Sequence, residues 1–423
     1  MYNLQFPMAE IVPFRALRYN PAKVALSKVV TQPYDKITPA LQNHYYDADP
    51  YNLVRIILGK SEPSDGPGSN VYTRAAGFLN EWRRTGVFQL DSEPSVYAYA
   101  QRFAIPGSSQ ITERQGFIAL GRVEDYTARV VHRHEQTLAK PKADRLELLR
   151  ATRAHFGQIF MLYSDPKREI DQLLAPTTAP DMETQDEYKV THRVWKVSDA
   201  ALIAKLQEKM RDKKLIIADG HHRYETALAY RDERRASGGE ASAPYEFVMM
   251  TLVNMDSPGL VILPTHRVVH GLTGFHSDSL SEGARTYFRV REIDPELDAA
   301  AAAAKLREAG KTQTAMLAIT RNRAFLLDEP KSAGTPALAG YSRLQQSLDV
   351  VQLHKCLLEG VLGLSEESIK NQQNISYVRD AGEAIAQVRR GGANIAFGGE
   401  VLPQKSTDFY PKMLSGLTVY ALE

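Results

Sequence analysis

A chain of 423 residues is too long for one ordinary hydrophobic core, so two or three domains are expected. With 43% hydrophobic and 24% charged residues the composition is that of a soluble globular protein, and no stretch approaches the roughly 18 uncharged apolar residues of a membrane span. The net charge of +2, without a basic tail or arm, argues against a dedicated nucleic-acid binder.

The start, MYNLQFPMAEIVPF, lacks the basic opening and apolar core of a signal peptide. Cys356 is the one cysteine, which excludes a disulfide framework and makes the cytoplasm the expected compartment. It sits in the apolar run LHKCLLEGVLGL and reads as a buried filler. Nothing in the sequence sets an oligomeric state.

In chain order, an apolar start at 11–14 leads to Arg15 and then to residues 32–37, QPYDKI, a shaped loop carrying Tyr34 and Asp35. Residues 53–58, LVRIIL, read as a strand, and 61–70 as a flexible loop. Residues 71–84 are expected to form an amphipathic helix with Ala75, Phe78, Leu79 and Trp82 inward. Residues 95–103 and 115–123 alternate as strands and should pair. Residues 130–164 are dense in polar groups. His132 and His134 would point the same way on a strand, a helix is expected near Pro141, and 158–163 return to a strand.

A Pro/Thr-rich stretch at 175–180 marks a boundary, followed by a strand at 192–197 and a helix at 199–210. Residues 215–218 are of buried-strand type, Asp219-Gly220 is a turn, and the pattern from His221 is helical until Ser237-Gly238-Gly239 stops it. Residues 245–253 read as a buried strand, and 260–263 lead to Pro264-Thr265-His266-Arg267. The alanine run at 299–304 is helical by propensity and expected at the surface. Residues 314–319 and 324–327 suggest a hairpin, and 349–362 a helix. The fold class is therefore α+β, with mixed sheets and helices. It divides into an N-terminal α+β domain at 1–165, a phosphate-binding domain at 166–298 and a C-terminal α+β domain at 299–423.

Four clusters have the residue types for chemistry. A strand that runs through Gly220 into a helix leaves unpaired N–H groups at the positive end of the helix dipole. With Asp219, His221, His222 and Arg223 beside them, these form a cradle for an anion such as phosphate. The same turn also reads as structural, with Asp219 as a cap and the histidines solvated. Ligation of a metal by both histidines is disfavoured, because neighbours at a helix start project about 100° apart. The second cluster is His134-Glu135 and Thr137 with Lys142, Asp144 and Arg145. It offers a carboxylate to take a proton and cations for phosphate oxygens, or else a helix start laced with salt bridges. His132 and His134 have zinc-ligand spacing but no third ligand in view. The third is His266-Arg267 after a strand, facing either a cleft or a surface carboxylate. The fourth is Lys405-Ser406-Thr407, able to grip an anion. Walker, GxGxxG, GxSxG and HExxH patterns are absent.

The motif set resembles a broad bacterial and archaeal family of similar length catalogued only as a domain of unknown function. The matching stretches are 13–19 (PFRALRY), 33–35 (PYD), His134-Glu135 with Thr137, 141–146 (PKADRL), 218–227 (ADGHHRYETA), 263–267 (LPTHR), 403–407 (PQKST) and 409–412 (FYPK). Members of that family carry a longer segment between an Ala-Phe pair like Ala396-Phe397 and the GEVLPQKST stretch. Arg133 stands where a proline is expected, and Asp408 where an aromatic is common.

The strand, glycine turn and helix around Gly220 also resemble the signature of the ParB/sulfiredoxin superfamily. His221 stands where sulfiredoxin has its cysteine, so that chemistry is ruled out. The His-His-Arg version is most similar to free-serine kinases, which use such a turn for a phosphate donor and a separate glutamate as base. The resemblance implies a small-molecule phosphotransferase acting on free L-serine, with a ParB/sulfiredoxin-like central domain. Gly220 to Arg223 would hold the donor, and Lys142 and Arg145 would neutralise the transferred group with Mg²⁺. Glu135 or Asp144 would take the proton, with His221 able to assist. Arg15, Tyr34, Asp35, Thr137, His266 and Arg267 would bind the amino acid. ATP, ADP and pyrophosphate all stay open as donors. A ParB-type nucleotide-binding regulator and a metal-dependent phosphohydrolase with His132, His134 and Asp219 as ligands are the alternatives.

Overall fold

A computed structural model describes residues 9–106, 108–133, 139–240, 242–263, 265–311, 313–331, 336–339, 346, 349–378, 380–399 and 408–422. The chain forms two compact units. One comprises 1–261 with 411–423, the other 262–410. No helix among the described residues is long and apolar enough to cross a membrane.

The first unit is built on one mixed sheet. Its strands in chain order are β1 (Ile11–Val12), β2 (Val96–Ala104), β3 (Ile111–Arg122), β4 (Val131–His132), β5 (Ile159–Tyr163), β6 (Met182–Gln185), β7 (Thr191–Val197), β8 (Leu215–Asp219) and β9 (Phe247–Asn254). They lie in the order β4-β8-β5-β9-β3-β2-β7-β6, with β1 paired to β3. The β8–β4 and β9–β5 pairs are parallel, and β2 and β3 form the expected antiparallel pair. Strands from 1–165 thus interleave with strands from 166–261, so the two sequence segments share one core. This is why the structural division differs from the segments 1–165, 166–298 and 299–423.

The core follows strand alternation. Ile159, Met161 and Tyr163 on β5 share a cluster with Leu215 and Ile217 on β8. Two helices cover it: α4 (Ala200–Met210), whose N-terminus Asp199 caps by accepting from Leu202 N–H, and α5 (His221–Ala236). A second cluster gathers α2 (Val71–Arg84) and α3 (Ala139–Thr152) around Trp82, with α1 (Pro39–Ala48) nearby in the chain. Asn70 and Thr73 close a capping box at the start of α2. Ala75, Leu79 and Trp82 are buried as expected, while Phe78 is half-buried.

Residues 53–58 correct the sequence reading. Val54–Ile57 is a single helical turn, not a strand. Asn52 Oδ1 accepts from Val54 N–H, and the turn buries Val54, Ile56 and Ile57 together. Packing of a short apolar run overrides its β propensity.

The second unit has a six-stranded antiparallel sheet. Its strands are β10 (His266–Val269), β11 (Arg289–Ile293), β12 (Met316–Thr320), β13 (Ala324–Asp328), β14 (Ile375–Val378) and β15 (Ile395–Gly399), in the order β11-β13-β12-β15-β10-β14. β12 and β13 are the expected hairpin. Both faces are covered. Met316 and Ala318 join one cluster, while Leu317 and Ile319 join another with α6 (Ala299–Ala309) and Ile385 of α7 (Ala381–Arg389). Ala302 of the alanine run is buried, so that helix is not wholly superficial. Residues 349–359 are helical, three residues short of the expected end at 362, and Leu353–Glu359 widen to π-type hydrogen bonding. Cys356 lies there, buried, and burial pushes its thiol up to about 11.

Candidate functional site

The end of β8 sets the site. Between Ile217 and Asp219 the pairing with β5 shifts register, and such an irregularity re-aims the following side chain. Gly220 then takes φ +94°, and its position admits little else. A Cβ there would come within 2.9 Å of Arg223 Nε. Gly220 itself is the N-cap residue of α5, without a side-chain cap. Asp219 is engaged elsewhere. Its Oδ2 accepts from Arg223 Nη2 at 2.8 Å and its Oδ1 from Lys412 Nζ at 2.9 Å. Burial alone would raise the Asp219 carboxyl, but Lys412 and Arg223 outweigh it and hold it well below the usual carboxylate range. Lys36 adds to that field. Arg223 also donates through Nη1 to the Gln158 carbonyl.

The two histidines part company. His221 is buried on the packed side of α5, at 5% exposure. His222 is half-buried and beside Asp35. Burial lowers its pKa, against the opposing pull of Asp35 and Glu225. The first turn of α5 thus presents backbone N–H groups, His222 and Arg223 together.

A short helical turn at Tyr34–Lys36 and the N-terminal half of α3 face this turn. The Arg145 guanidinium lies 4.2 Å from the centre of the Tyr34 ring. Arg145 Nε also donates to Asp144 Oδ2 at 2.8 Å, while Tyr72 OH donates to Asp144 Oδ1 at 2.8 Å. Burial and the neighbouring Asp144 push Tyr72 up to about 12. Tyr34 is raised by burial and by Asp35, with Arg145 and Arg223 opposing. Lys142 is half-buried one helical turn before Arg145, on the same side of α3.

Beside these groups lies a cavity of about 70 Å³, walled by Tyr34, Arg145, His155, Gly157, Arg223 and Ser415 among others. A Cβ at Gly157 would meet Ser415 Oγ at 3.0 Å and Arg223 Nη1 at 3.3 Å, so a larger residue would displace the arginine. Thr226 also lines the cavity, and its buried hydroxyl makes no hydrogen bond among the described residues. His155 stacks on Tyr420, with the rings 9° from parallel, and burial pushes its pKa down to about 4. It is therefore neutral near pH 7.

The structure thus brings together Tyr34, Asp35, Asp144, Arg145, Asp219, Gly220, His222 and Arg223, drawn from three sequence-distant clusters. Arg15 is placed otherwise. It is exposed and donates through Nε to the Asp91 carbonyl at 2.6 Å, beside the Arg18–Asp91 ion pair. His266 and Arg267 belong to the second unit, on β10. Arg267 donates from Nη1 to the Thr265 carbonyl at 2.8 Å, and its buried Nε and Nη2 have no partner among the described residues. His132 ends β4, exposed. Glu135, Thr137, His134, Lys405, Ser406 and Thr407 lie outside the described residues.

Lys412, Lys36, His155, Gly157, Thr226 and Ser415 were not singled out for a role from sequence. Lys412 stood within a quoted motif, and Lys36 follows Tyr34-Asp35, so both had a weak signal. Nothing in the spacing of the others marks them. Arg114 was also missed. It is 1% exposed, donates from Nε to Gln101 Oε1 at 3.1 Å and from Nη2 to the Pro411 carbonyl. Gln101 Nε2 donates to the Lys412 carbonyl at 2.8 Å. Two interior side chains therefore hold the backbone that carries Lys412.

A protein-held Mg²⁺ finds little here. Both oxygens of Asp219 and of Asp144 accept from protein donors, and no three His, Cys, Asp or Glu among the described residues group as metal ligands.

Among curated proteins none matches this chain in sequence. A conserved hypothetical protein from Pyrococcus furiosus is 13% identical, over 67% of this chain and 86% of its own, with a TM-score of 0.29. A mutant free serine kinase in complex with ADP is 14% identical, over 68% of this chain and 89% of its own, with a TM-score of 0.27. A free serine kinase in complex with AMP is 14% identical, over 66% and 88%, with a TM-score of 0.22. A family model matches residues 11–351, a span that includes the motifs from PFRALRY to LPTHR, and the chain belongs to the family described as protein of unknown function (DUF1015).

Proposed function

We propose that the first unit transfers a phosphoryl group to the hydroxyl of a small molecule, and that the acceptor is free L-serine. One observation carries the reaction class. Arg223 and Lys412 both hold the Asp219 carboxylate at the glycine turn that opens α5, and Arg145 shares a cavity wall with Arg223. Phosphoryl transfer is catalysed mainly by positioning and charge stabilisation, and this is a concentration of cationic donors at a helix N-terminus. The choice of serine rests on the resemblance of the Gly-His-His-Arg turn to free-serine kinases.

In this reading the donor's terminal phosphate lies on the N-terminus of α5 and takes hydrogen bonds from Arg223. Asp219 keeps Arg223 and Lys412 aligned. The serine hydroxyl attacks phosphorus as the bond to the leaving phosphate or nucleotide breaks, and its proton passes to Glu135. Asp144, with both oxygens already accepting from Tyr72 and Arg145, serves to orient Arg145. His222, rather than the buried His221, is the imidazole with access to the donor. Tyr34, Asp35 and the Thr226 hydroxyl line the acceptor side. No step is routed through a metal.

The test is direct. The purified chain, with Mg²⁺ in the buffer, is incubated with L-serine and ATP, ADP or pyrophosphate in turn, and the products are read by ³¹P NMR. O-phosphoserine with one of the donors is the expected result. Its absence with all three overturns the serine assignment.

A further inference from the structure

The strongest feature outside the first unit is a cleft of about 260 Å³ in the second. It lies between one face of the sheet and the helices α6 and α7. Strand alternation turns Leu317 and Ile319 toward it, and Ala302 and Leu306 face them from α6. The α7 side contributes Ala384 and Ile385. Protein interiors pack densely, and alanines at this layer leave open a space that leucines would fill. A cavity of ~150 Å³ accepts benzene, so this one has room for a ring with a short side chain.

Two cationic or titratable groups interrupt the apolar wall. His266 is 91% buried, since its exposure is 9%, and its ring makes no hydrogen bond among the described residues. Gly398 lets the ring lie close against β15, for a Cβ there would come within 3.1 Å of His266 Nδ1. The ring borders the cleft with hydrogen-bonding capacity that the described residues leave unused, and a ligand acceptor there would take a bond from it. Arg307 stands exposed at the cleft with no ion pair among the described residues. Asp380 is the carboxylate nearest in charge terms to His266, and its Oδ1 is occupied in capping α7 through Glu383 N–H.

We propose that this cleft binds a small apolar monocarboxylate, with its hydrocarbon body among Leu306, Leu317 and Ile385 and its carboxylate between His266 and Arg307. The charge of Arg307 selects an acid over a neutral molecule of the same shape, and the His266 ring supplies a directed donor. The site is separate from the glycine turn and does not depend on any phosphoryl transfer there.

Isothermal titration calorimetry on the full chain tests it, with 3-phenylpropionate as probe and 3-phenylpropan-1-ol as its neutral counterpart. The acid should bind saturably, and the alcohol roughly tenfold more weakly. Arg307→Gln, at an exposed position, should remove the acid's advantage and leave the alcohol unchanged. Ala303→Leu, which fills the cleft from α6, should abolish binding of both. Equal affinity for acid and alcohol, no saturable binding of the acid, or acid binding unmoved by both variants would each overturn the proposal.

Discussion

Lys412 Nζ lies 2.9 Å from Asp219 Oδ1 across 193 residues of sequence, and this pair joins the C-terminal segment to the glycine turn. Asp219 is only 18% exposed and Lys412 9%, so the pair is largely removed from water. Such a pair is costly to break because the remaining charge stays buried.

Lys412→Met therefore loses roughly 3 kcal/mol of stability at pH 7, read from urea unfolding. The pH dependence has a defined sign. The folded pKa of Asp219 is depressed below its ordinary 3.8, so its contribution is present above that value and is lost as pH falls below it. The wild-type chain should lose stability on acidification below about pH 4, and Lys412→Met should lose less. Parallel pH profiles for the two proteins would contradict the assignment.

Arg223→Ala should reduce O-phosphoserine formation at least about a hundredfold, the scale of losing one charge-stabilising donor. Arg223→Lys should rescue little, because lysine lacks the fork that reaches Gln158 and Asp219 together. Unchanged turnover in Arg223→Ala, with the fold confirmed by circular dichroism, removes the turn from the mechanism.

Gly220→Ala places a Cβ on a residue at φ +94° and within 2.9 Å of Arg223 Nε. The backbone strain costs about 1–2 kcal/mol, and the arginine must move. Activity should fall more than the shift in urea midpoint explains. A midpoint shift with full activity would show that the arginine tolerates displacement.

Arg114→Met should act through Lys412. The arginine holds the Pro411 carbonyl, one residue from the lysine, and does not itself line the cavity. Its stability loss should not add to that of Lys412→Met, and the double-mutant cycle should give a coupling of at least about 0.5 kcal/mol. Simple additivity would assign Arg114 to core packing alone.

His192 is fully buried between Tyr99 and Asp186. The Tyr99 oxygen is 2.7 Å from Nδ1, and Asp186 Oδ2 is 3.2 Å from Nε2. Burial lowers its pKa below 6.5 despite the help of Asp186. Stability from the neutral ring is thus present above pH 6.5 and lost as pH falls below it. His192→Gln should flatten the stability profile between about pH 6.5 and 5. A slope equal to that of the wild type there would refute this.

Local pattern carried much of the reading. The β2–β3 pair, the helix at 71–84, the hairpin at 316–328 and the strand-glycine-helix turn at 215–236 all announce themselves through periodicity, caps and glycine. These signals span a few residues, which is the range over which backbone propensity and side-chain alternation act. The run at 53–58 shows the limit, since six apolar residues suit a strand or a buried turn equally, and the surrounding core decides.

What sequence determined by itself was the α+β class, the family motifs and the strand–glycine–helix turn at Asp219 to Arg223. Only tertiary structure decided which scattered groups meet there. Tyr34, Arg145 and Lys412 come from remote segments, and Arg15 goes to Asp91 instead. It also separated His221, buried, from His222, which shares the field of Asp35. The reason is physical: convergence depends on the order of strands in the sheet and on burial of partner charges, and neither leaves a mark in local spacing.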